Sequence, residues 1–198
     1  MNAVAVDADP ASLGVSPVVR LRPLCPEDSE VFLRWAADPE VRRHYLGGEV
    51  LAAKDTSADW VPRCGSAVSP LGRSAGRRER PAGHVVRAVE TFDGRLLGWV
   101  ELRDLNWRRR SGEFRICLGD PATWGRGYGG AALRGFLDLA FRAWGLGSVH
   151  LRVAVWNDRA VRAYERCGFK REARLRAGRR AAEGVQDLWL MRAVPMRG

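Results

Sequence analysis

The spacing of apolar residues changes partway along the chain. In the first part, short stretches alternate between apolar and polar residues or are continuously apolar, which predicts β-strands. These stretches are "VVRLRPL" (18–24), "HVVRAVET" (84–91), "RLLGWVELR" (95–103) and "GEFRICLG" (112–119). The Asp-Gly of "FDGR" predicts a hairpin between the second and third of them. Beyond them the apolar residues recur at helical spacing and predict an amphipathic helix; they are Leu133, Phe136, Leu137, Ala140, Phe141 and Trp144.

Two further helices are indicated by their end signals. The stretch "PEDSEVFLRWAADPEVRRHYL" (26–46) begins with a proline and acidic residues, and it is interrupted near Asp38 and Pro39. The stretch "DRAVRAYERC" has Asn157 or Asp158 as its N-cap and a glycine directly behind it.

The remaining segments complete the order of elements. "SVHLRVAVW" (148–156) is typical of a strand that is buried on both faces. "FKREARLR" and "VQDLWLMRAV" predict two last strands, joined by a loop "AGRRAAEG" (177–184). Residues 47–84 are rich in Gly, Ser, Pro and Arg and predict a long loop, which in a compact domain is functional or disordered.

Together these elements predict a mixed α/β (α+β) fold with a central, mostly antiparallel, twisted sheet flanked by helices. The strand at 112–119, the helix behind it and the strand at 148–156 form one right-handed crossover, so we expect these two strands to be parallel. Residues 1–16 are expected to be a mobile tail, and residues 17–198 are expected to form a single domain.

Charge is distributed unevenly along the 198 residues. The formal net charge is +10 with a pI of about 10.6. Residues 152–180 contain ten Arg or Lys and three acids, whereas residues 27–59 contain eight Asp or Glu and four Arg or Lys. Two interpretations stay open: charged faces that are merely solvated, or a basic region that attracts an anionic ligand opposite an acidic region that faces a cationic one.

Several classes of protein do not fit the sequence. No apolar run reaches the length of a membrane span, and the first residues lack the basic region of a secretory signal. The cysteines match neither a zinc-binding spacing nor a disulfide framework, so we expect no metal and a reducing cytoplasm. The cysteines are Cys25, Cys64, Cys117 and Cys167.

The stretch "WGRGYGG" (124–130) lies between a predicted strand and a predicted helix. Glycines there let main-chain N–H groups converge, and the first turn of a helix has unpaired donors and partial positive charge. Such a turn suits a phosphate or pyrophosphate, although a bare glycine-rich turn is more often only a tight turn. It is neither a P-loop nor a dinucleotide fingerprint, because it lacks Gly-Lys-Ser/Thr and a repeated GxGxxG unit.

The second candidate constellation is "VWNDRAVRAYERCGFK". Asn157, Ala160 and Tyr164 are spaced three and then four residues apart and therefore share one face of the helix. A helical tyrosine considered alone is most often part of the core.

Together, "ICLGDPATWGRGYGGAAL" and "NDRAVRAYERCGF" resemble the GNAT superfamily of acetyl-CoA-dependent N-acyltransferases. The similarity extends over nearly the whole chain and is greatest to the branch of ribosomal-protein N-terminal, polyamine and aminoglycoside acetyltransferases. Trp124 departs from the Gln or Arg that many members have at this position, and the long 47–84 segment is a second departure.

The resemblance implies acetyl-CoA as co-substrate and a set of residues that bind it. Tyr164 is the implied acid that protonates the departing thiolate. Glu113 is the first candidate for the base, followed by Glu101, His44 and His150. The implied cofactor-binding residues are Ile116, Cys117, Leu118, Trp124, Gly125, Arg126, Gly127, Tyr128, Gly129, Gly130, Asn157, Ala160 and Tyr164.

The acceptor is expected to be a primary amine that is cationic: a polyamine, an aminoglycoside or a protein N-terminus. The eight acids of residues 27–59 could favour it, or they could be ordinary helix-start and surface acids. Two alternatives from other classes are an inactive CoA-binding sensor or scaffold and a basic ribosome- or RNA-associated binder, although no stacking-aromatic module for nucleic acid is evident. We expect a monomer or a homodimer that does not associate with membranes.

Overall fold

The computed structural model describes residues 18–45, 83–181 and 184–195. Within these residues the chain forms a seven-stranded sheet and four α-helices, so the predicted mixed α/β fold is confirmed. The predicted tail at 1–16 and nearly all of the predicted loop at 47–84 lie outside the described residues. No helix of the described part is long and apolar enough to cross a membrane.

The order of elements follows the order predicted from the sequence. The strands are β1 (Val19–Arg22), β2 (Val85–Thr91), β3 (Leu96–Asn106), β4 (Ser111–Leu118), β5 (Ser148–Ala154), β6 (Lys170–Ala181) and β7 (Gly184–Ala193). The helices are α1 (Asp28–Ala37), α2 (Pro39–Tyr45), α3 (Tyr128–Asp138) and α4 (Asp158–Arg166). A short 3-10 turn at Pro121–Thr123 precedes α3, and a π-helical turn at Leu139–Ala143 extends it.

The sheet order is β1-β2-β3-β4-β5-β7-β6. Every neighbouring pair is antiparallel except β4 and β5, which are parallel as the crossover predicted. The predicted Asp-Gly hairpin joins β2 to β3, and its Gly94 has a φ of +88°, a conformation that glycine adopts without strain.

The predicted loop is wrong for residues 177–181 and for Gly184, which belong to strands, and residues 182–183 lie outside the described residues. β6 continues to Ala181 and β7 begins at Gly184, and these two residues pair with each other. The hydrogen bonds of a strand ladder join main-chain groups, so the polar and small residues that suggested a loop are compatible with a long hairpin at the edge of the sheet.

The sheet separates two apolar clusters. One lies between the sheet and α3, and its largest members include Phe114, Phe136 and Leu133. The other lies between the sheet and the first two helices, where the rings of Phe32 and Trp99 are 4.6 Å apart. Helices therefore cover both faces of the sheet, and residues from both sides can reach the strand ends.

A buried ion-pair cluster attaches the start of α1 to the first two strands. The guanidinium of Arg22 donates two hydrogen bonds of 2.7 Å to Asp28 and one of 2.5 Å to Glu90. Asp28 also accepts a bond from the main-chain N–H of Cys25. Burial alone would raise the pKa of Asp28, but the bonds from Arg22 and Cys25 outweigh it and the pKa lies below its ordinary value.

We expect Asp28→Asn to lower the free energy of unfolding by about 2 to 3 kcal/mol in urea at neutral pH, because it removes one of the two buried carboxylates that neutralise Arg22. Glu30→Gln, on the exposed face of the same helix, is the matched control and should lose less than about 1 kcal/mol.

The folded-state pKa of Asp28 is depressed, so its stabilisation is present above the unfolded pKa and is lost as the pH falls through the folded one. The difference between wild type and Asp28→Asn should therefore shrink as the pH is lowered from about 5 towards about 3. A difference that is independent of pH would contradict this assignment.

Candidate active site

The parallel strands β4 and β5 separate soon after they meet. They pair at three positions only, from Ser111 with Ser148 to Glu113 with His150. Beyond Glu113 no strand of the described chain pairs with this side of β4. A gap therefore opens between the two strands beyond Glu113.

Along β4 the main-chain N–H and C=O groups of successive residues point alternately towards β3 and towards the gap. The N–H of Gly119 bonds to the carbonyl of Leu97 on β3, so residues at even positions of β4 direct their N–H and C=O groups to the opposite side. The main-chain groups of Ile116 and Leu118 thus face the gap, whereas those of Cys117 face β3. The carbonyl of Leu118 accepts a 2.9 Å bond from the indole N–H of Trp124, which joins the end of the strand to the next turn.

The glycine-rich turn directs the first N–H groups of α3 outwards. Gly125 and Gly127 have φ values of +79° and +86°, and Gly127 is the N-cap. No side chain caps this helix, and its first intrahelical bond runs from Ala131 to Gly127. The N–H groups of residues 128–130 are therefore available at the positive end of the helix.

A single cavity of about 370 Å³ combines the gap with this turn. It is lined by most of the residues that the resemblance implied, namely Ile116, Cys117, Leu118, Trp124, Gly125, Gly127, Gly129, Gly130, Asn157, Ala160 and Tyr164. Arg126 and Tyr128 belong to the same turn but are not among the residues that line the cavity.

The cavity is also lined by three arginines that were not predicted as site residues: Arg134, Arg159 and Arg166. A side-chain carbon placed on Gly130 would lie 3.4 Å from the guanidinium of Arg134, so this cation lies beside the first turn of α3. The basic 152–180 region contains the other two. Arg134 is one helical turn beyond Gly130 and therefore lies on the same face of the helix. This spacing is the sequence signal that could have identified Arg134 as a site residue.

Asn157 and Tyr164 have different local roles. Asn157 is the N-cap of α4, and its side-chain oxygen accepts a 3.2 Å bond from the N–H of Ala160. The ring of Tyr164 lies 5.9 Å from that of Phe169, and no described residue bonds to its hydroxyl. Burial raises the pKa of Tyr164 above its ordinary value, with a smaller contribution from Cys167, so the phenol stays protonated at neutral pH.

The two carboxylates that are candidates for the base are engaged in hydrogen bonds with other side chains. Glu113 bonds to the guanidinium of Arg152 at 2.5 and 3.1 Å and is 3.5 Å from that of Arg115. Glu101 accepts bonds from Tyr45 at 2.5 Å and from His84 at 2.8 Å.

Neither carboxylate is among the residues that line the cavity, and neither is His150. The structure therefore does not bring Glu113 together with Tyr164, and the role of Glu113 as base stays a prediction.

Helix α2 reaches the cavity through a cluster of aromatic rings that meet at steep angles. The imidazole of His44 lies 4.7 Å from the ring of Trp124 and 5.3 Å from that of Trp156. The guanidinium of Arg159 lies 4.2 Å above Trp124. Trp124 therefore forms a wall between two helices. This arrangement could not be predicted from the sequence, because the neighbours of Trp124 are far apart along the chain.

Two of the five described acids in and beside the first two helices have structural hydrogen bonds. Asp28 belongs to the buried ion-pair cluster, and the carboxylate of Asp38 accepts a 2.8 Å bond from the N–H of Glu40 at the start of α2. None of the described acids between residues 27 and 45 lines the cavity. Glu49, Asp55 and Asp59 lie outside the described residues. The described residues contain no group of His, Cys, Asp and Glu that could hold a metal ion.

The fold and the cavity together define a site for an extended, anionic ligand beside a splayed strand. The chain belongs to the acetyltransferase (GNAT) domain family, which matches residues 19–170. The resemblance inferred from the two glycine- and asparagine-containing stretches is thereby confirmed.

Individual relatives lie in the polyamine branch of the superfamily. The chain is 39% identical over 87 residues to the spermidine N(1)-acetyltransferase of Vibrio cholerae serotype O1, a match that covers 44% of this chain and 50% of the relative. The spermidine N(1)-acetyltransferase of Escherichia coli K12 is 33% identical over 89 residues, which cover 45% of this chain and 47% of the relative. The matched part thus spans about half the length of these curated relatives.

One solved structure is similar over most of the chain. The Vibrio cholerae spermidine N-acetyltransferase in complex with CoA and spermine superimposes with a TM-score of 0.70 at 25% identity, covering 89% of this chain and 95% of that one.

We expect Gly127→Ala to weaken the binding of CoA about tenfold in calorimetry, because a side chain at positive φ favours a different path of the turn and misdirects the N–H groups of α3. Gly94→Ala is the matched control: its φ is +88°, no atom lies within 4 Å of the added carbon, and it lies in the β2–β3 hairpin. Equal CoA affinity in both variants would contradict the assignment of the turn.

Proposed function

We propose that this chain is an acetyl-CoA-dependent N-acetyltransferase that acetylates a primary amine of a polyamine. The observation that carries the proposal is the single cavity whose lining includes glycines at the uncapped start of α3, Ile116 and Leu118 on the free edge of β4, and Tyr164. The spermidine acetyltransferase relatives support the choice of a polyamine over an aminoglycoside or a protein N-terminus.

The cavity has groups suited to two parts of the co-substrate, the pyrophosphate and the pantetheine arm. The N–H groups of residues 128–130 would bind the pyrophosphate, with the charge of Arg134 beside them. The main-chain groups of Ile116 and the N–H of Leu118 would bond to the amides of the pantetheine arm. Acetyl-CoA supplies a thioester that is activated for attack by an amine.

Two groups of the chain assist the transfer. A free N–H at the end of β4 would donate to the carbonyl oxygen of the thioester as it gains negative charge. Tyr164 would donate its phenolic proton to the departing sulfur. Because the pKa of Tyr164 lies above that of a thiol, the transfer is completed when the phenolate takes a proton from the newly bonded amine nitrogen.

We expect Tyr164→Phe to lower kcat by about 10²-fold or more while leaving the affinity for CoA unchanged, since the phenyl ring preserves the packing but removes the proton. Steady-state kinetics and calorimetry on the same preparation test both statements. A kcat within about twofold of wild type would rule out Tyr164 as the acid.

The acceptor is tested by free-thiol release from acetyl-CoA with spermidine, spermine, an aminoglycoside and peptides with free N-termini. We expect turnover with the two polyamines and much less with the others.

Two other outcomes of this experiment are informative. CoA binding without turnover of any amine would favour a catalytically inactive sensor or scaffold. RNA affinity that falls steeply with salt, without CoA binding, would favour the nucleic-acid alternative.

A further inference from the structure

The cavity that contains Tyr164 also contains one side chain suited to accept a proton. Among its described lining residues there is no Asp or Glu, and burial raises the pKa of the Cys117 and Cys167 thiols. The hydroxyl of Tyr45 donates to Glu101. His44, on α2, is the lining residue that remains.

The hydrogen bonding of His44 determines which ring nitrogen is free. Nδ1 lies 2.9 Å from the carbonyl oxygen of Glu40, one turn earlier in the same helix. A carbonyl oxygen can only accept, so Nδ1 carries the proton and the lone pair of the neutral ring is on Nε2. No described residue bonds to Nε2.

The surroundings of His44 keep its ring neutral and fixed. Burial lowers the pKa of His44, and the charges of Arg159 on α4 and Arg43 on its own helix lower it further, whereas the carbonyl and charge of Glu40 oppose the shift. Among the described residues, the ring of His44 contacts the uncharged indoles of Trp124 and Trp156. The imidazole is thus unprotonated near neutral pH.

We propose that Nε2 of His44 is the general base that deprotonates the acceptor ammonium of the proposed acetyl transfer. His44 takes one proton from the ammonium group, and the free amine then bonds to the acetyl carbon while the carbon–sulfur bond breaks. Tyr164 gives its proton to the sulfur and regains one from the new amide nitrogen. His44 finally releases its proton to water, so that one proton is produced per acetyl group transferred.

This inference rests on the proposed acetyl transfer and gives a specific pH dependence. Without His44 the enzyme depends on amine that is already deprotonated, and this fraction rises tenfold per pH unit below the amine pKa. With spermidine, kcat/KM of the wild type should be nearly flat from about pH 7 to 9, whereas His44→Phe should be about 10²-fold slower at pH 7 and rise tenfold per pH unit.

The variants distinguish the role of His44 as a base from its role in the packing of the aromatic rings. His44→Phe keeps an aromatic ring between the two indoles, and His44→Gln keeps a polar group; both should have the same slope and unchanged CoA affinity. His150→Gln removes an imidazole from β5 that does not line the cavity, and it should keep the flat profile. Glu113→Gln tests the competing base.

Flat profiles in both His44 variants, or a sloped profile in Glu113→Gln alone, would overturn the inference while leaving the acetyl transfer intact. Absence of wild-type turnover with every amine would overturn both. Nitrogen NMR of the wild-type imidazole gives a check that needs no variant: we expect the Nδ1–H form with a pKa below about 6.5, and an Nε2–H form would refute the assignment.

Discussion

The parting of β4 from β5 is the constraint on which the site depends. Three paired positions fix the direction of the two strands, and the next residues of β4 then pair with no strand on that side within the described part of the chain. Unpaired main-chain groups inside a sheet are costly unless something bonds to them. Trp124 satisfies the carbonyl of Leu118, and the groups of Ile116 are left for a ligand. The gap is therefore a consequence of the topology and not of any one side chain.

The other elements place chemical groups around that gap. The helix that crosses from β4 to β5 begins at the end of β4, so its positive end meets the gap. The helix that follows β5 places Tyr164 and Arg159 on the opposite wall. Helix α2 lies on the other face of the sheet. Its His44 reaches the cavity beside the rings of Trp124 and Trp156. The proposed acid and the proposed base thus reach one cavity from opposite faces of the sheet.

The sequence predicts this arrangement where the signal is local. Glycines at the start of α3 and an asparagine at the start of α4 reveal helix ends, and the interval between them holds one buried strand. The last two strands were predicted, but the extension of β6 to Ala181 was not, because a main-chain ladder does not require the side chains that usually mark a strand.

Contacts between residues far apart along the chain also could not be predicted from the sequence. The pairing of Glu113 with Arg152 joins residues 39 positions apart on adjacent strands, and the enclosure of His44 joins three separate elements. Such partners depend on the register and packing of the whole fold. The identity of Glu113 as an acid on a strand was visible, but the arginine that neutralises it was not.

The central claim is that main-chain N–H groups of this chain bind CoA. Amide hydrogen exchange, measured residue by residue by NMR with and without CoA, tests it directly. The account predicts that exchange slows at Tyr128, Gly129 and Gly130 and at the free N–H groups of β4, with little change in the β2–β3 hairpin. Unchanged exchange at the start of α3 in CoA-saturated protein would contradict it.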